Sequence, residues 1–247
     1  MLARALFSTV ILLVLSGHLS ADELRVAAAS NFAAAITAIA EKFEADTAQE
    51  VTLIFGSTGK HYAQIINGAP YDLFFAADAA RPKLLEKEGF ALRDSRFTYA
   101  LGKLVLWSPR KNYIDPDGRI LENGNFRHLA IANPRLAPYG EAARQVLQAR
   151  GLWNDQDKRV VRGENIAQAF QFVRSGNAEL GFVAWSQVKH AGKAKEGSYW
   201  SIPQSLYAPI EQQAVLLRDR EAARSFILFV RSAQGARIIR EHGYGIP

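Results

Sequence analysis

Short apolar runs alternate with amphipathic stretches along most of this chain. LRVAAA (Leu24 to Ala29) has the composition of a buried strand, and Phe32, Ile36, Ile39 and Phe43 then recur on one face of a helix that starts near Asn31. VTLIF (Val51 to Phe55) predicts a second strand, followed by a helix through HYAQII that Gly68 and Pro70 stop. YDLFFAAD predicts a third strand, with RPKLLEKEGF as its helix. The β-α-β-α-β-α order predicts a mostly parallel sheet with helices on both faces.

The alternation breaks at FTYALGKLVLWSP, an extended stretch that leads into the turn-rich RKNYIDPDGRILENGN. It resumes with HLAIANP, KRVVRG and AELGFVAW as strands, and with YGEAARQVLQARGL and NIAQAFQFVRSGN as the helices between them. IEQQAVLL predicts a late strand, and REAARSFILFVRSAQGARIIREHGY a pair of packed helices. Two α/β lobes accommodate this order better than one sheet. There is no internal repeat and no low-complexity tract.

The first residues, MLARALFSTVILLVLSGHLSADE, follow the order of a secretory leader: one charge at Arg4, an apolar run from Ala5 to Leu15, then small and polar residues. The expectation is export with cleavage after Ala21, although Leu19 is a poor residue for the upstream cleavage position. The chain has no cysteine, which excludes a disulfide framework, a thiolate metal site, a cysteine nucleophile and a lipid-bearing cysteine. A net charge of +6 is spread along the chain among 24 acidic residues rather than gathered in a basic run. That pattern argues for a solvated basic surface, not a nucleic-acid face, and its field draws in small anions.

FGSTGK (Phe55 to Lys60) looks like half of a phosphate-binding loop. A full loop needs glycine at position 54 and a hydroxyl at 61, where this chain has Ile54 and His61. What remains is a strand, a Gly/Ser/Thr turn and a helix start. Three further junctions share this character: Ser30 and Asn31 in AAASNF, Tyr139 in APYGEAA, and Asn165 and Ile166 in RGENIAQ. Each one alone is explained as a helix cap, since Ser, Thr and Asn are the usual capping residues. Several such termini together would hold an anion without a charged side chain, but every α/β protein has capped helices, and these residues by themselves lead no further than an exported α/β protein with anion binding as one reading.

Hydrolytic chemistry finds little support. His61, His128, His190 and His242 lack metal-ligand spacing, and Gly56 directly before Ser57 breaks the nucleophile elbow. Asp72 and Asp78 flank one strand, Asp78 as a helix cap. An exported α/β hydrolase therefore ranks below a binding protein. Within binding functions, sulfate, thiosulfate, phosphate and organic acids are the competing ligands. None of Ser30, Asn31, Ser57, Thr58, Tyr139 and Ile166 at these junctions is the arginine that carboxylates usually recruit. Lys60 beside the loop is the one cation within reach of the cleft, and Glu164 the neighbouring acid.

The motifs LRVAAASNF, FGSTGKHYAQI, GAPYDLFFAAD, GKLVLWS, LAIANPRLAPYG, LGFVAWSQV and HGYGIP, in this order and spacing, resemble the bacterial periplasmic molybdate-binding proteins of ABC importers. The resemblance implies a two-lobed type II periplasmic-binding-protein fold, in which neutral donors in the cleft hold tetrahedral molybdate or tungstate. It implies a leader at 1–21, a first lobe at 22–101, a second at 102–204 and a return to the first at 205–247. Carried over by motif, the oxyanion ligands are Ser30, Asn31, Ser57, Thr58, Tyr139 and Ile166. Some members carry a tyrosine ligand after the LGxV strand, where this chain has Ala184, and the tyrosine of APYG would take its place. The implied protein is a periplasmic monomer that needs no cofactor, binds no nucleic acid and delivers its ligand to a cognate inner-membrane permease.

Overall fold

The computed structural model describes residues 23–156, 158–190, 193–194 and 196–247; the leader and its cleavage point lie outside them. The strands are β1 (Leu24–Ala29), β2 (Val51–Gly56), β3 (Leu73–Phe75), β4 (Phe97–Gly102), β5 (Leu104–Ser108), β6 (Leu129–Ala132), β7 (Val160–Gly163), β8 (Leu180–Ala184), β9 (Lys189–His190), β10 (Lys193–Ala194), β11 (Ser198–Ser201) and β12 (Ile210–Leu216). The helices are α1 (Ala33–Thr47), α2 (Thr58–Ile66), α3 (Ala80–Glu88), α4 (Ile120–Asn123), α5 (Pro138–Ala149), α6 (Trp153–Gln156), α7 (Ile166–Arg174), α8 (Trp185–Val188), α9 (Glu221–Arg231) and α10 (Ala233–Glu241). A 3-10 turn at Ser30–Phe32 leads into α1.

Two five-stranded sheets result, ordered β2-β1-β3-β12-β4 and β11-β5-β8-β6-β7. In the first, β1 pairs parallel with β2 and β3, while β12 runs antiparallel to both β3 and β4. In the second, β6 pairs parallel with β7 and β8, while β5 runs antiparallel to β8 and β11. Each sheet thus has four strands in one direction and one reversed, and the reversed strand is in each case the one that has just crossed from the other lobe. The stretch expected as a single extended segment is two strands in two sheets, with Lys103 between them.

The strands of the first sheet are apolar on both faces because helices cover both. One face packs Phe32, Ile36, Ile39, Phe43, Phe75 and Phe226 beneath α1 and α9. The other packs Ile65, Phe74 and Leu85 beneath α2 and α3. The second sheet has its own core around Leu106, Ile131, Val146, Phe170 and Phe182. Among the described residues, no helix is long and apolar enough to cross a membrane.

Candidate functional site

Parallel pairing in register brings the junctions together. Ala29 lies opposite Gly56 at the ends of β1 and β2, so Ser30 and Ser57 leave the first sheet side by side. Ala132 lies opposite Gly163 in the second sheet, so the turns that lead to α5 and α7 also leave from one edge. In open α/β sheets ligands collect outside such carboxyl ends. The two edges face each other here. Ser30, Asn31, Ser57, Thr58, Tyr139 and Ile166 all line one void between the lobes, together with Gly56, Ala77, Pro138 and Asn165. All six expected residues are buried. The void is small, about 10 Å³, the scale at which a single compact group is just admitted.

Local sequence explains each edge. Ser57 caps α2, its oxygen accepting from the Lys60 N–H at 3.3 Å, and Asn165 caps α7 in the same way from Gln168. Pro138 opens α5 at the first helical position, where its missing N–H costs nothing. Gly140 lets that helix start against β6: a Cβ there would lie 2.3 Å from the Ala132 carbonyl oxygen.

The hydroxyls share one polarity. Ser30 Oγ accepts from the Ala167 N–H at 3.4 Å, Thr58 Oγ1 from the Ala77 N–H at 3.0 Å, and Tyr139 Oη from Gln212 Nε2 at 3.0 Å. With Ser57 they make four hydroxyls that accept from nitrogen and whose own hydrogens no group among the described residues takes. Elsewhere in the protein the buried hydroxyls of Ser108, Ser186, Tyr99 and Tyr244 donate to protein oxygens. A hydroxyl has one hydrogen, so those of Ser30, Ser57 and Thr58 are available to a guest in the void, whereas the Tyr139 oxygen lies against Gly102 and Gln212, which do not line it. Burial raises the Tyr139 phenol well above its ordinary value and keeps that hydrogen in place at any physiological pH.

Four helix starts surround the void, and their first N–H groups have no partner within the helix. None of the lining residues is charged. At the mouth, Lys60 Nζ meets Glu164 Oε1 across the cleft at 3.1 Å. The Gly59 N–H donates to the Leu136 carbonyl at 2.8 Å, and Arg81 Nη2 to the Arg135 carbonyl at 3.2 Å. Lys60 therefore faces a carboxylate rather than the void. A larger groove, about 350 Å³, lies alongside and contains Asp78, Glu141 and Glu211. Arg81 lines it too and pairs with Asp78, so that groove is lined by charged side chains, whereas the smaller void is lined by neutral ones.

The motifs did not reveal what lies behind the site. Gln212, Tyr99, Tyr244 and Ser186 form a buried polar cluster around Asn31. The signal available in sequence was the glutamine pair inside IEQQAVLL, two amides in an apolar strand. Ala184 ends β8 and is not part of the void's lining, while Tyr139 is. His61 packs under the first-lobe loop, with ring nitrogens near the Ala28 carbonyl and Gln64 Oε1. Asp72 is held by Arg220 and the Arg25 N–H, and Asp78 caps α3 through the Arg81 N–H. Among the described residues, no three His, Asp or Glu side chains gather as a cation site.

Two α/β lobes joined by crossing strands, with a small neutral donor-lined cleft between them, define a solute-binding protein of the type II periplasmic-binding fold. Residues 24–245 match the family model of the bacterial extracellular solute-binding proteins, and the chain belongs to that family. It is 49% identical to the molybdate-binding protein ModA of Azotobacter vinelandii over 92% of this chain and 91% of that one. It is 43% identical to the protein of the same name from Rhodobacter capsulatus, over 91% of this chain and 89% of that one. The solved structure of the Azotobacter vinelandii periplasmic molybdate-binding protein superposes with a TM-score of 0.88 at 41% identity, covering 91% of this chain and 99% of that one. These relatives are binding proteins.

Proposed function

We propose that this protein is a periplasmic receptor that captures molybdate, and tungstate with it, and delivers the anion to an ABC permease. The observation that carries this reading is the polarity of the site: the hydroxyls of Ser30, Ser57 and Thr58 accept from nitrogen and have hydrogens to spare, beside helix N-termini and without a charged side chain in the lining. Such a site offers hydroxyl and amide donors without a carboxylate, and a fully deprotonated tetrahedral dianion accepts from them. Each contact is charge-assisted and roughly twice as strong as a neutral one. Phosphate near neutral pH carries a hydrogen best received by a carboxylate, and no carboxylate lines the void.

Sulfate matches molybdate in charge and shape but has shorter bonds. In a cleft held at several points between the lobes it cannot reach every donor at once, and each buried donor left unpaired costs about 1–3 kcal/mol. Two such losses lower affinity by several tens-fold or more. Residues 103 and 202–209 connect the two sheets and are the places where a hinge motion would be absorbed. The protein acts as a monomer and is released by cleavage after Ala21, so the mature chain begins at Asp22.

Calorimetric titration of the mature protein with molybdate, tungstate, sulfate and phosphate tests the ligand assignment. Tight binding of the first two and weak binding of the others is expected. Sulfate bound as tightly as molybdate would overturn it. Small-angle scattering of the same samples should report compaction on adding molybdate, and N-terminal sequencing of exported protein the cleavage point.

A further inference from the structure

The second glycine of FGSTGK has no local reason to be glycine. Gly59 is the second residue of α2, its φ lies outside the left-handed region, and alanine is the better helix former. The atoms that crowd it come from elsewhere: an added Cβ would lie 3.0 Å from the Leu136 carbonyl oxygen, 3.1 Å from Leu136 Cα and 3.2 Å from Arg81 Nη2. The guanidinium is the end of a flexible side chain and can swing aside, but the Leu136 atoms are backbone of the second lobe. The bare position at 59 is a requirement set from across the cleft.

The contact is backbone on both sides. The Gly59 N–H donates to the Leu136 carbonyl at 2.8 Å, and among the described residues, away from the connectors at 103 and 202–209, no other hydrogen bond between the lobes joins two backbone groups. Lys60 with Glu164, Arg81 with the Arg135 carbonyl and the Ala167 N–H with Ser30 each use a side chain. Side chains yield, whereas two braced backbones set a distance. On the first-lobe side, Thr58 just before Gly59 is tied to the Ala77 N–H, and Ser57 caps the same turn. On the other side Asn133 braces the turn that carries Leu136: its carbonyl accepts from the Leu136 and Ala137 N–H groups at 3.1 and 2.9 Å, and its side chain from the Arg135 N–H at 3.0 Å. Thr58 and Ala137 both line the void, so the contact stands at its rim.

We propose that Gly59 is a specificity-determining residue: its contact with the Leu136 carbonyl is the stop that ends lobe closure and so sets the size of anion the void accepts. Lobes that can come no closer leave a smaller tetrahedral anion short of donors on one side, and this is the discrimination against sulfate. Neither Gly59 nor Leu136 lines the void, so the pair acts on selectivity through spacing alone. This inference rests on the assignment of the void as an oxyanion site.

The test is Gly59→Ala. Its Cβ presses on Leu136 only when the lobes are closed and holds them a few tenths of an ångström further apart, so an anion that spans the cleft loses contacts on one side. Calorimetry should give about ten- to a hundred-fold weaker binding of molybdate and of tungstate than in the unsubstituted protein. Sulfate, titrated at millimolar concentration, should change by less than about threefold, because it already fails to span the cleft, and discrimination narrows. The loss should lie in dissociation, measured as release of labelled molybdate into excess unlabelled anion, with association little changed. Without ligand the variant should melt no lower than the unsubstituted protein, since the open molecule has only gained a better helix former. Molybdate affinity within about threefold of the unsubstituted protein, equal losses for molybdate and sulfate, or a lower melting temperature without ligand would each overturn the proposal while the oxyanion reading stands. Failure of the unsubstituted protein to bind molybdate in the same titration would overturn that reading and the role of Gly59 with it.

Discussion

Replacing Thr58 by alanine perturbs binding and stability through two separable hydrogen bonds. Thr58 is buried at the first position of α2, and its oxygen accepts from the Ala77 N–H at 3.0 Å. Its hydrogen is the one assigned to the anion. Loss of a hydrogen bond to a charged partner costs about 1.5–3 kcal/mol, so molybdate affinity should fall roughly ten- to a hundred-fold. The substitution also strands the buried Ala77 N–H, at about 1–3 kcal/mol of folding stability, which for a chain of this size lowers the melting temperature by several degrees at about 2–4 °C per kcal/mol. Thr58→Ser keeps the hydroxyl and should restore both. Thr58→Val fills the same space and should restore neither. Calorimetry and thermal melting of the three variants separate the effects. If Thr58→Ala and Thr58→Val both bound molybdate within about threefold of the unsubstituted protein, the hydroxyl would have no part in the site and the polarity argument would fail there.

Three further outcomes follow from the geometry. Gly140→Ala places a Cβ against the Ala132 carbonyl, and overpacking of about 1–3 kcal/mol should show as a lowered melting temperature; an unchanged melt would mean that α5 does not press on β6 as described. Burial holds the His61 imidazole below the usual histidine range, although bonds to Gln64 and Ala28 pull the other way. The unfolded chain therefore takes up a proton first. Stability from the neutral ring is complete above the ordinary histidine pKa and is lost as pH falls through it toward the folded value; the drop in melting temperature from pH 7.5 to 5 should be shallower in His61→Gln, and equal slopes would exclude His61 as its source. Lys60 and Glu164 pair at the mouth while both remain about half exposed, so Lys60→Gln should alter stability by no more than about 1 kcal/mol yet slow molybdate association at low salt. An association rate unaffected by the substitution would remove Lys60 from capture.

Local pattern was enough for most elements. The apolar run at Leu24 to Ala29 is a strand buried on both faces, which needs no alternation, while the run at Val51 to Phe55 is the half-buried edge strand and exposes Phe55. Ser57 and Asn165 read as helix caps in sequence, and they are caps. For Ser57 the proposed site role is not an alternative to capping: a hydroxyl that caps with its oxygen still has its hydrogen.

The tertiary structure decided the direction and company of those donors. FTYALGKLVLWSP looked like one extended segment because strand propensity carries no information about which sheet a residue joins; the exchange at Lys103 is set by pairing with β12 on one side and with β8 and β11 on the other. Gln212 and Tyr244 were invisible as site residues. Gln212 lies 73 positions from Tyr139 and 181 from Asn31, and no local pattern tells that its amide meets them. Residue types along the chain determined that the cleft could be lined with neutral donors. Which nitrogen from which lobe meets each oxygen, as the Ala167 N–H meets Ser30 Oγ and the Ala77 N–H meets Thr58 Oγ1, is settled only when folding brings those atoms within reach.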